Sequence, residues 1–496
     1  MYPNTLYTPP TVRTTLLALA LTFSTPTWAA VDATTLVGDV SDRSAVIWSR
    51  AEGETTLNLL LFGAPALPIK KQQMLTADHD YAAHFEVNRL RPDTIYFYAV
   101  WAGEVPLSAA VEEAVVGHFR TAPSPQSVKP VRFAWGGDLG GQNVCRDAAD
   151  DYPIFHGIKR FEPDFFIGLG DMIYADGVCE ETGRYGNIQL PGDFTQSADL
   201  ENFWKHWHYN WAAPGLRDLL DETPYIAIWD DHEVVNDFGP LHDTRDTPPY
   251  TAGEHLLPLG LQAFFDYNPI AVANNTPKRL YRNLRWGQQL ELFILDTRQY
   301  RDPNFEADST EAIKSALGRE QLTWLKKVLA ASDATWKVII SSVPISIPTG
   351  SSGAAGRDGW ADFTESGGFE NELREILEFL RDNDIHNNLW ITTDVHFASV
   401  FRYTPFGDSP EFTAHEAVVG PLNAGLFPKD EFDTTFNPER LLFFGPESAD
   451  AVTSYEDALD WFNFGAVEID PNGVLTLTVR DVEGQPVYTT AIPPTP

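Results

Sequence analysis

The chain is poor in cysteine and in positive charge. Only Cys145 and Cys179 occur in 496 residues, so the chain holds one disulfide or offers a thiolate to a metal, and little else by sulfur chemistry. Lysine and arginine number 35 against 70 aspartates and glutamates, a net charge of -35. That balance excludes a nucleic-acid scaffold as partner, because little is available to neutralise a phosphate backbone. No apolar run beyond the N-terminus is long enough to cross a bilayer. The glycine-rich stretch from Gly350 to Gly359 lacks the Gly-Lys-Ser/Thr of a nucleotide cradle, and is expected as a mobile loop whose neighbour Trp360 packs against a ligand.

What is present argues for a packed globular protein. Hydrophobic residues make up 43% and aromatics 12%, enough for one large core or two domains and unlike an acidic disordered chain. The N-terminus carries Arg13, an apolar run from Thr15 to Phe23, and small residues at Ala29-Ala30. This pattern predicts a secretory leader over residues 1–30 and an exported chain, periplasmic or extracellular, with no transmembrane segment after cleavage. The lone arginine points to the general export route. In an exported chain the two cysteines most simply pair, the competing reading being that one of them is a metal thiolate.

From 31 to 122 short β-segments follow one another without a convincing helix, including Ser44–Ser49, Thr56–Phe62, His84–Val87 and Thr94–Trp101. Their spacing predicts a fibronectin- or immunoglobulin-like β-sandwich, with His79 and His84 as structural residues. A Pro/Ser-rich linker over 123–130 precedes an alternating strand–helix pattern over 131–496, the mark of a layered α/β core. At least five apolar strands there each end in a carboxylate: Asp138, Asp171, Asp230-Asp231, Asp296 and Asp394. Ligands gather at the carboxyl ends of such strands. Asp171 leads, closing the buried run Phe165–Leu169, with Tyr174 three residues on.

Asp138, Asp171, Tyr174, Asp231, Asp394 and His396 thus form a set of hard oxygen ligands with one nitrogen, suited to Fe(III), Ca, Mn or Zn. Carboxylates brought this close repel without cations, so two metals sharing Asp171 is the economical arrangement. Such a pair clamps an in-line displacement at phosphorus and makes hydroxide at mild pH. Asp230 and Glu233 are expected to orient ligands, and Asp237 is weighed for the same task. His232 is the candidate general acid. The His206/His208 pair, set among Trp204, Trp207 and Trp211, is expected to be a packed helix face.

These motifs in order resemble the alkaline phosphatase D (PhoD-like) branch of the calcineurin-like metallophosphoesterases. They run Gly137-Asp138, Gly170-Asp171-x-x-Tyr174, Trp229-Asp230-Asp231-His232-Glu233, Asp296-x-Arg298-x-Tyr300-Arg301 and Asp394-Val395-His396. Val37-Gly38-Asp39 and Val46-Ile47-Trp48-Ser49-Arg50 are similar to that family's N-terminal domain. The resemblance implies a four-layer α/β/β/α core after the sandwich, and hydrolysis of small phosphate mono- or diesters by a metal-bound hydroxide. It implies Fe(III) with Ca as cofactor, a Tyr174–iron bond, Arg298 as the phosphate-contacting arginine, and Asn236 as a residue for metal or substrate. Zn, Mn or Ca alone is the alternative metal set, because family members with the iron–calcium cofactor carry a cysteine where Gly140 and Gly141 stand here. No Ser or Thr sits at a strand end as a nucleophile, which disfavours a phosphoenzyme. The rival expectations are a phospholipase- or nucleotide-directed diesterase and a catalytically inactive surface binding protein.

Overall fold

A computed structural model describes residues 30–63, 67–110, 112–239, 253–271, 278–351, 355–363, 366–407 and 411–495, with Asp243 and Ser409. All of the expected leader except Ala30 lies outside the described residues, as do 352–354 of the glycine-rich stretch.

The first strands are β1 (Val31–Gly38), β2 (Ser44–Ala51), β3 (Thr56–Phe62), β4 (Ile69–Met74), β5 (Ala82–Asn88), β6 (Ile95–Ala102) and β7 (Val115–Arg120). Alternation begins with β8 (Val131–Gly136), α1 (Ile154–Phe161), β9 (Phe165–Leu169), α2 (Leu200–Trp211), α3 (Pro214–Leu220), β10 (Tyr225–Ile228) and α4 (Leu256–Tyr267). It continues through β11 (Arg282–Trp286), β12 (Leu290–Ile294), α5 (Gly318–Ala331), β13 (Trp336–Ile340), α6 (Glu370–Asp382) and β14 (Asn388–Thr392). The chain closes with β15 (Ala398–Tyr403), β16 (Ala414–Val418), β17 (Pro438–Phe444), α7 (Tyr455–Leu459), β18 (Asn463–Ile469), β19 (Leu475–Asp481) and β20 (Pro486–Ile492).

Local sequence explains the key elements. Every residue of β9 is buried, as its unbroken apolar run requires for a central strand. Helix α1 turns Ile154, Phe155, Ile158 and Phe161 to the core and ends on Glu162 in the left-handed region, with Lys159 and Arg160 facing the negative end of its dipole. Helix α2 starts on Asp199, whose side chain accepts from the Asn202 N–H at 3.0 Å.

Three sheets result. The nine-stranded sheet has the order β20-β19-β18-β8-β9-β10-β1-β2-β5, the seven-stranded sheet β11-β12-β13-β14-β16-β15-β17, and the four-stranded sheet β4-β3-β6-β7. Strands β8, β9, β10 and β1 are parallel, as are β12, β13, β14 and β16. One apolar cluster fills the space between the sheets, joining Phe133, Ile167 and Ile228 to Leu292, Val338 and Ile391 and running on to Ile47, Leu59 and Val100. The outer face of the nine-stranded sheet is covered by α1 to α4, and that of the seven-stranded sheet by α5 and α6. This is the expected α/β/β/α layering preceded by an all-antiparallel sandwich.

One feature of the sandwich was not expected: its strands β1, β2 and β5 extend the core's own sheet through the β1–β10 pairing. The seam is also held at the end of α4. There the Trp48 indole donates to Asp266 O at 2.6 Å, His79 Nδ1 lies 2.7 Å from Asp266 Oδ1, and His84 Nε2 lies 3.0 Å from Asn268 O. His79 and His84 are therefore structural. His206 packs on Phe194 at 3.8 Å between ring centres, its Nε2 3.1 Å from Thr195 O, as expected of a packed helix face.

Candidate metal centre

The parallel strands deliver their carboxyl ends to one edge, and the loops beyond them meet. Asp138, Asp171, Asp394 and His396 all have left-handed backbone, with φ of 62°, 51°, 81° and 56°. Such conformations are costly outside glycine and cluster at functional sites. Gly170 precedes with φ of 100°, and a Cβ there would lie 2.6 Å from Asp230 Cβ, so the two motif loops approach only because this position is glycine.

The candidate ligands converge. Ligand atoms of Asp138, Asp171 and His396 lie within 4.8 Å of one another, as do those of Asp171, Asp231 and His232, and those of Asp171, Asp230, Asp231 and Asp394. Asp171 belongs to all three groups. Burial, together with the charges of Asp231, Asp230, Glu233 and Asp138, holds its carboxyl well above the usual range. Burial likewise pushes Asp138 up to about 8. Asp138 Oδ1 and Asp230 Oδ2 are buried without a hydrogen-bond donor, which is what an oxygen reserved for a cation looks like when only the protein is counted. The residues present therefore fit a metal centre.

His396 is prepared as a nitrogen ligand. Its Nδ1 hydrogen-bonds to the Gly425 carbonyl, which places the proton on Nδ1 and leaves the Nε2 lone pair facing Tyr174 Oη at 2.9 Å and Asp138 Oδ1 at 3.9 Å. Burial holds the ring neutral, its pKa lowered to about 3. Cys145 is bridged to Cys179, so its sulfur is committed and the thiolate alternative falls away. The bridge ties the loop after β8 to the loop after β9. Gly141 has a steric reason to be glycine: a Cβ there would fall inside van der Waals contact of the Tyr174 ring.

The support around the ligands is specific. Glu233 accepts from three backbone N–H groups, those of Asp230 (2.7 Å), Asp171 (3.1 Å) and Met172 (2.8 Å), and so clamps two motif loops together. Asp231 Oδ2 accepts from the Asp237 N–H at 2.5 Å, Thr393 donates to Asp138 Oδ2 at 2.7 Å, and Ser342 donates to Asp230 Oδ1 at 2.7 Å. His232 stacks on Tyr174 at 4.1 Å, and its Nδ1 lies 2.7 Å from Asp176 Oδ1. Burial alone would lower this imidazole, but Asp176, Asp231 and Asp237 outweigh it and raise the pKa to about 10 in the metal-free protein.

Two expectations are corrected. Arg298 does not line the cavity over the site. It is fully buried, donating from Nε to Asp230 Oδ1 at 2.5 Å and from Nη1 to Asp358 Oδ2 at 2.7 Å, because those carboxylates need a counter-charge in a dry interior. Trp360 is buried too, its indole donating to Ser341 Oγ at 3.1 Å within the layer packed on α6, so it does not reach a ligand. Two participants carried no sequence signal of their own: Asp176, one more acid in an acidic chain, and Asp358, inside the glycine-rich stretch. A cavity of about 430 Å³ opens over the centre, lined by Asp171, Asp231, His232, Asn236, Asp394 and His396 on its polar side.

Residues 133–476 match the PhoD-like phosphatase family and residues 25–123 the PhoD-like phosphatase N-terminal domain. Alkaline phosphatase D of Bacillus subtilis (strain 168) is 24% identical over 396 residues, covering 72% of this chain and 63% of that protein. Tartrate-resistant acid phosphatase type 5 of Sus scrofa is 25% identical over 239 residues, covering 46% of this chain and 56% of that protein. The chain thus spans less than two thirds of either relative. Among solved structures, that of PhoD superposes with a TM-score of 0.73 at 19% identity, covering 95% of this chain and 90% of that one. Purple acid phosphatase PPD1 from yellow lupin seeds gives 0.61 at 13% identity, covering 94% and 74%. Two family matches that together run through both the sandwich and the layered core, over the residues that build the carboxylate edge, place this chain in the PhoD-like phosphatase family.

Proposed function

We propose that this chain is an exported, metal-dependent phosphoesterase acting on small phosphate mono- or diesters. The observation that carries the proposal is the sharing of Asp171 among three groups of ligand atoms at the floor of one cavity. The names of the relatives, alkaline phosphatase D and tartrate-resistant acid phosphatase, support the same reading. The disulfide supports an exported location.

Asp138, Asp171, Tyr174 and His396 would hold one cation, and Asp171, Asp231 and Asp394 the other, with Asn236 at the rim for metal or substrate. When bound, the pair supplies Lewis acidity and a nucleophilic oxygen for in-line displacement at phosphorus. His232, fixed by Asp176, holds a proton at Nε2 for the leaving alcohol. Arg298 acts as a positioning residue: it pairs with Asp230 and Asp358, and its Nη2 lies 3.8 Å from Asp231 Oδ1. Glu233 fixes the spacing of Asp171 from Asp230.

The finer reading is Fe(III) beside Ca, supported by the phenol of Tyr174 at the His396 ligand atom. Metal analysis with a visible absorption spectrum tests it. The expected result is about one equivalent of iron, calcium, and a tyrosinate-to-iron band lost in Tyr174→Phe. Zinc, manganese or calcium without colour would replace the metal pair and keep the enzyme. No bound metal and no metal-stimulated hydrolysis of p-nitrophenyl phosphate or its bis-ester would overturn the proposal.

A further inference from the structure

The cavity lining is of two kinds: carboxylates and imidazoles, and beside them an apolar set made of Ile347, Pro348, Val395, Phe397, Phe427 and Pro428. Phe427 stands out in a chain with 31 phenylalanines: among the described residues it is the one phenylalanine that is exposed, at 39%, and it lines this cavity. One face of its ring stacks on His396, with ring centres 4.3 Å apart and planes 14° from parallel, so the ring is held in a fixed orientation. The ring keeps part of its surface open all the same.

Charge sharpens the point. Asp171, Asp231, Asp237, Asp394 and Asp430 line the cavity, and among the described lining residues Lys429 is the one lysine or arginine. Lys429 is itself at the surface, 3.5 Å from an exposed Glu447. Arg298 is fully buried and lies outside the lining. Beyond the cations themselves, the positive groups that the lining offers an incoming ester are thus His232 and Lys429, beside the apolar set. A phosphate carrying one negative charge and an apolar or aromatic substituent matches that lining, because the ring gains an aromatic partner in Phe427 and the phosphate avoids a second charge near Asp237 and Asp430, the lining carboxylates not assigned to the cations.

We propose that Phe427, with Pro428 beside it, is the subsite for an aromatic or apolar substituent of a phosphodiester, and that it sets the preference among ester substrates. This rests on the phosphoesterase reading. The test compares kcat/KM for bis(p-nitrophenyl) phosphate with that for methyl p-nitrophenyl phosphate in wild type, Phe427→Ala and Phe427→Tyr, each with its metal content measured. Taking the ratio between variants cancels the intrinsic reactivity of the two esters. The aryl-to-methyl ratio is expected to fall roughly fivefold in Phe427→Ala, the size of one stacked aromatic contact, and to hold in Phe427→Tyr.

An unchanged ratio in Phe427→Ala, or an equal loss on both esters that follows a loss of metal, would overturn the subsite. Calorimetric binding of phenylphosphonate and methylphosphonate to the metal-loaded protein separates this proposal from the reading beneath it. Tighter binding of the phenyl compound, lost in Phe427→Ala, supports the subsite even if no ester is turned over, in which case only the phosphoesterase reading falls. Turnover of both esters without any aryl preference overturns the subsite alone.

Discussion

Strands β1, β8 and β9 lie in one sheet and run on into a Gly-Asp pair: Gly38-Asp39, Gly137-Asp138 and Gly170-Asp171. All three aspartates are buried and left-handed, with φ of 44°, 62° and 51°. Two of them reach the candidate metal centre. The third, Asp39, receives the Arg282 guanidinium at 2.8 Å and the Ala271 N–H at 2.9 Å, a structural ion pair at the seam between sandwich and core. Register makes the difference. Gly168, next to last in β9, pairs with Gly136 at the end of β8, and Leu169 at the end of β9 pairs with Ile228 at the end of β10, so these strands finish within one residue of each other. Gly38 pairs instead with Tyr225, the first residue of β10, so β1 stops three residues short of that edge, roughly 10 Å at a strand's rise. The same dipeptide in the same backbone conformation becomes a candidate ligand or a fastener according to where its strand ends.

The comparison can be broken from the ligand side first. Asp171→Asn is expected to lower kcat by at least about 10³-fold and to release metal, since no other carboxylate belongs to all three ligand groups. Steady-state kinetics with metal analysis on the same preparation checks this. Asp39→Asn should do the reverse. It breaks a pair whose side chains are 4% and 12% exposed, so the fold should lose about 3 kcal/mol in denaturant titration while kcat per folded molecule holds. A large kcat loss in Asp39→Asn would show that the seam and the site are one unit.

The histidines extend the contrast. His232, at the strand edge, should cost about 10²-fold when changed to Gln, more for alkyl esters than for nitrophenyl esters whose leaving group needs no proton. Equal losses across leaving groups would remove it as the acid. His206, on α2, is held neutral by burial with its pKa lowered to about 4 from 6.5. The unfolded chain then binds the extra proton between pH 6.5 and 4, so this stability is full above 6.5 and falls with acid, by about 2 kcal/mol from pH 7 to pH 5. Denaturation midpoints across that range should flatten in His206→Gln.

Much of this was legible in the residues. Unbroken apolar runs such as Phe165–Leu169 and Tyr225–Ile228 mark buried parallel strands, because only a strand covered on both faces tolerates them. The carboxylate after each run marks the ligand edge. The strands Ala398–Tyr403 and Pro438–Phe444 escaped notice because they mix charge with apolar residues, as strands near a sheet edge do. The burial of Arg298 has no mark in the sequence, because its spacing after Asp296 is the same whether the guanidinium faces a cavity or a pair of buried aspartates.

Sequence alone marked the sandwich, the alternating strand–helix core and the strand-end carboxylates, because burial periodicity and strand-end chemistry are local, whereas the four-layer arrangement came only with the family resemblance. Tertiary structure alone decided that Asp39 stays out of the candidate centre, that Asp176 meets His232, that Arg298 is fully buried outside the cavity lining, and that Phe427 lines the cavity. Each of these depends on strand register or on contacts between loops tens to hundreds of residues apart, and no short-range pattern encodes a distance of that kind.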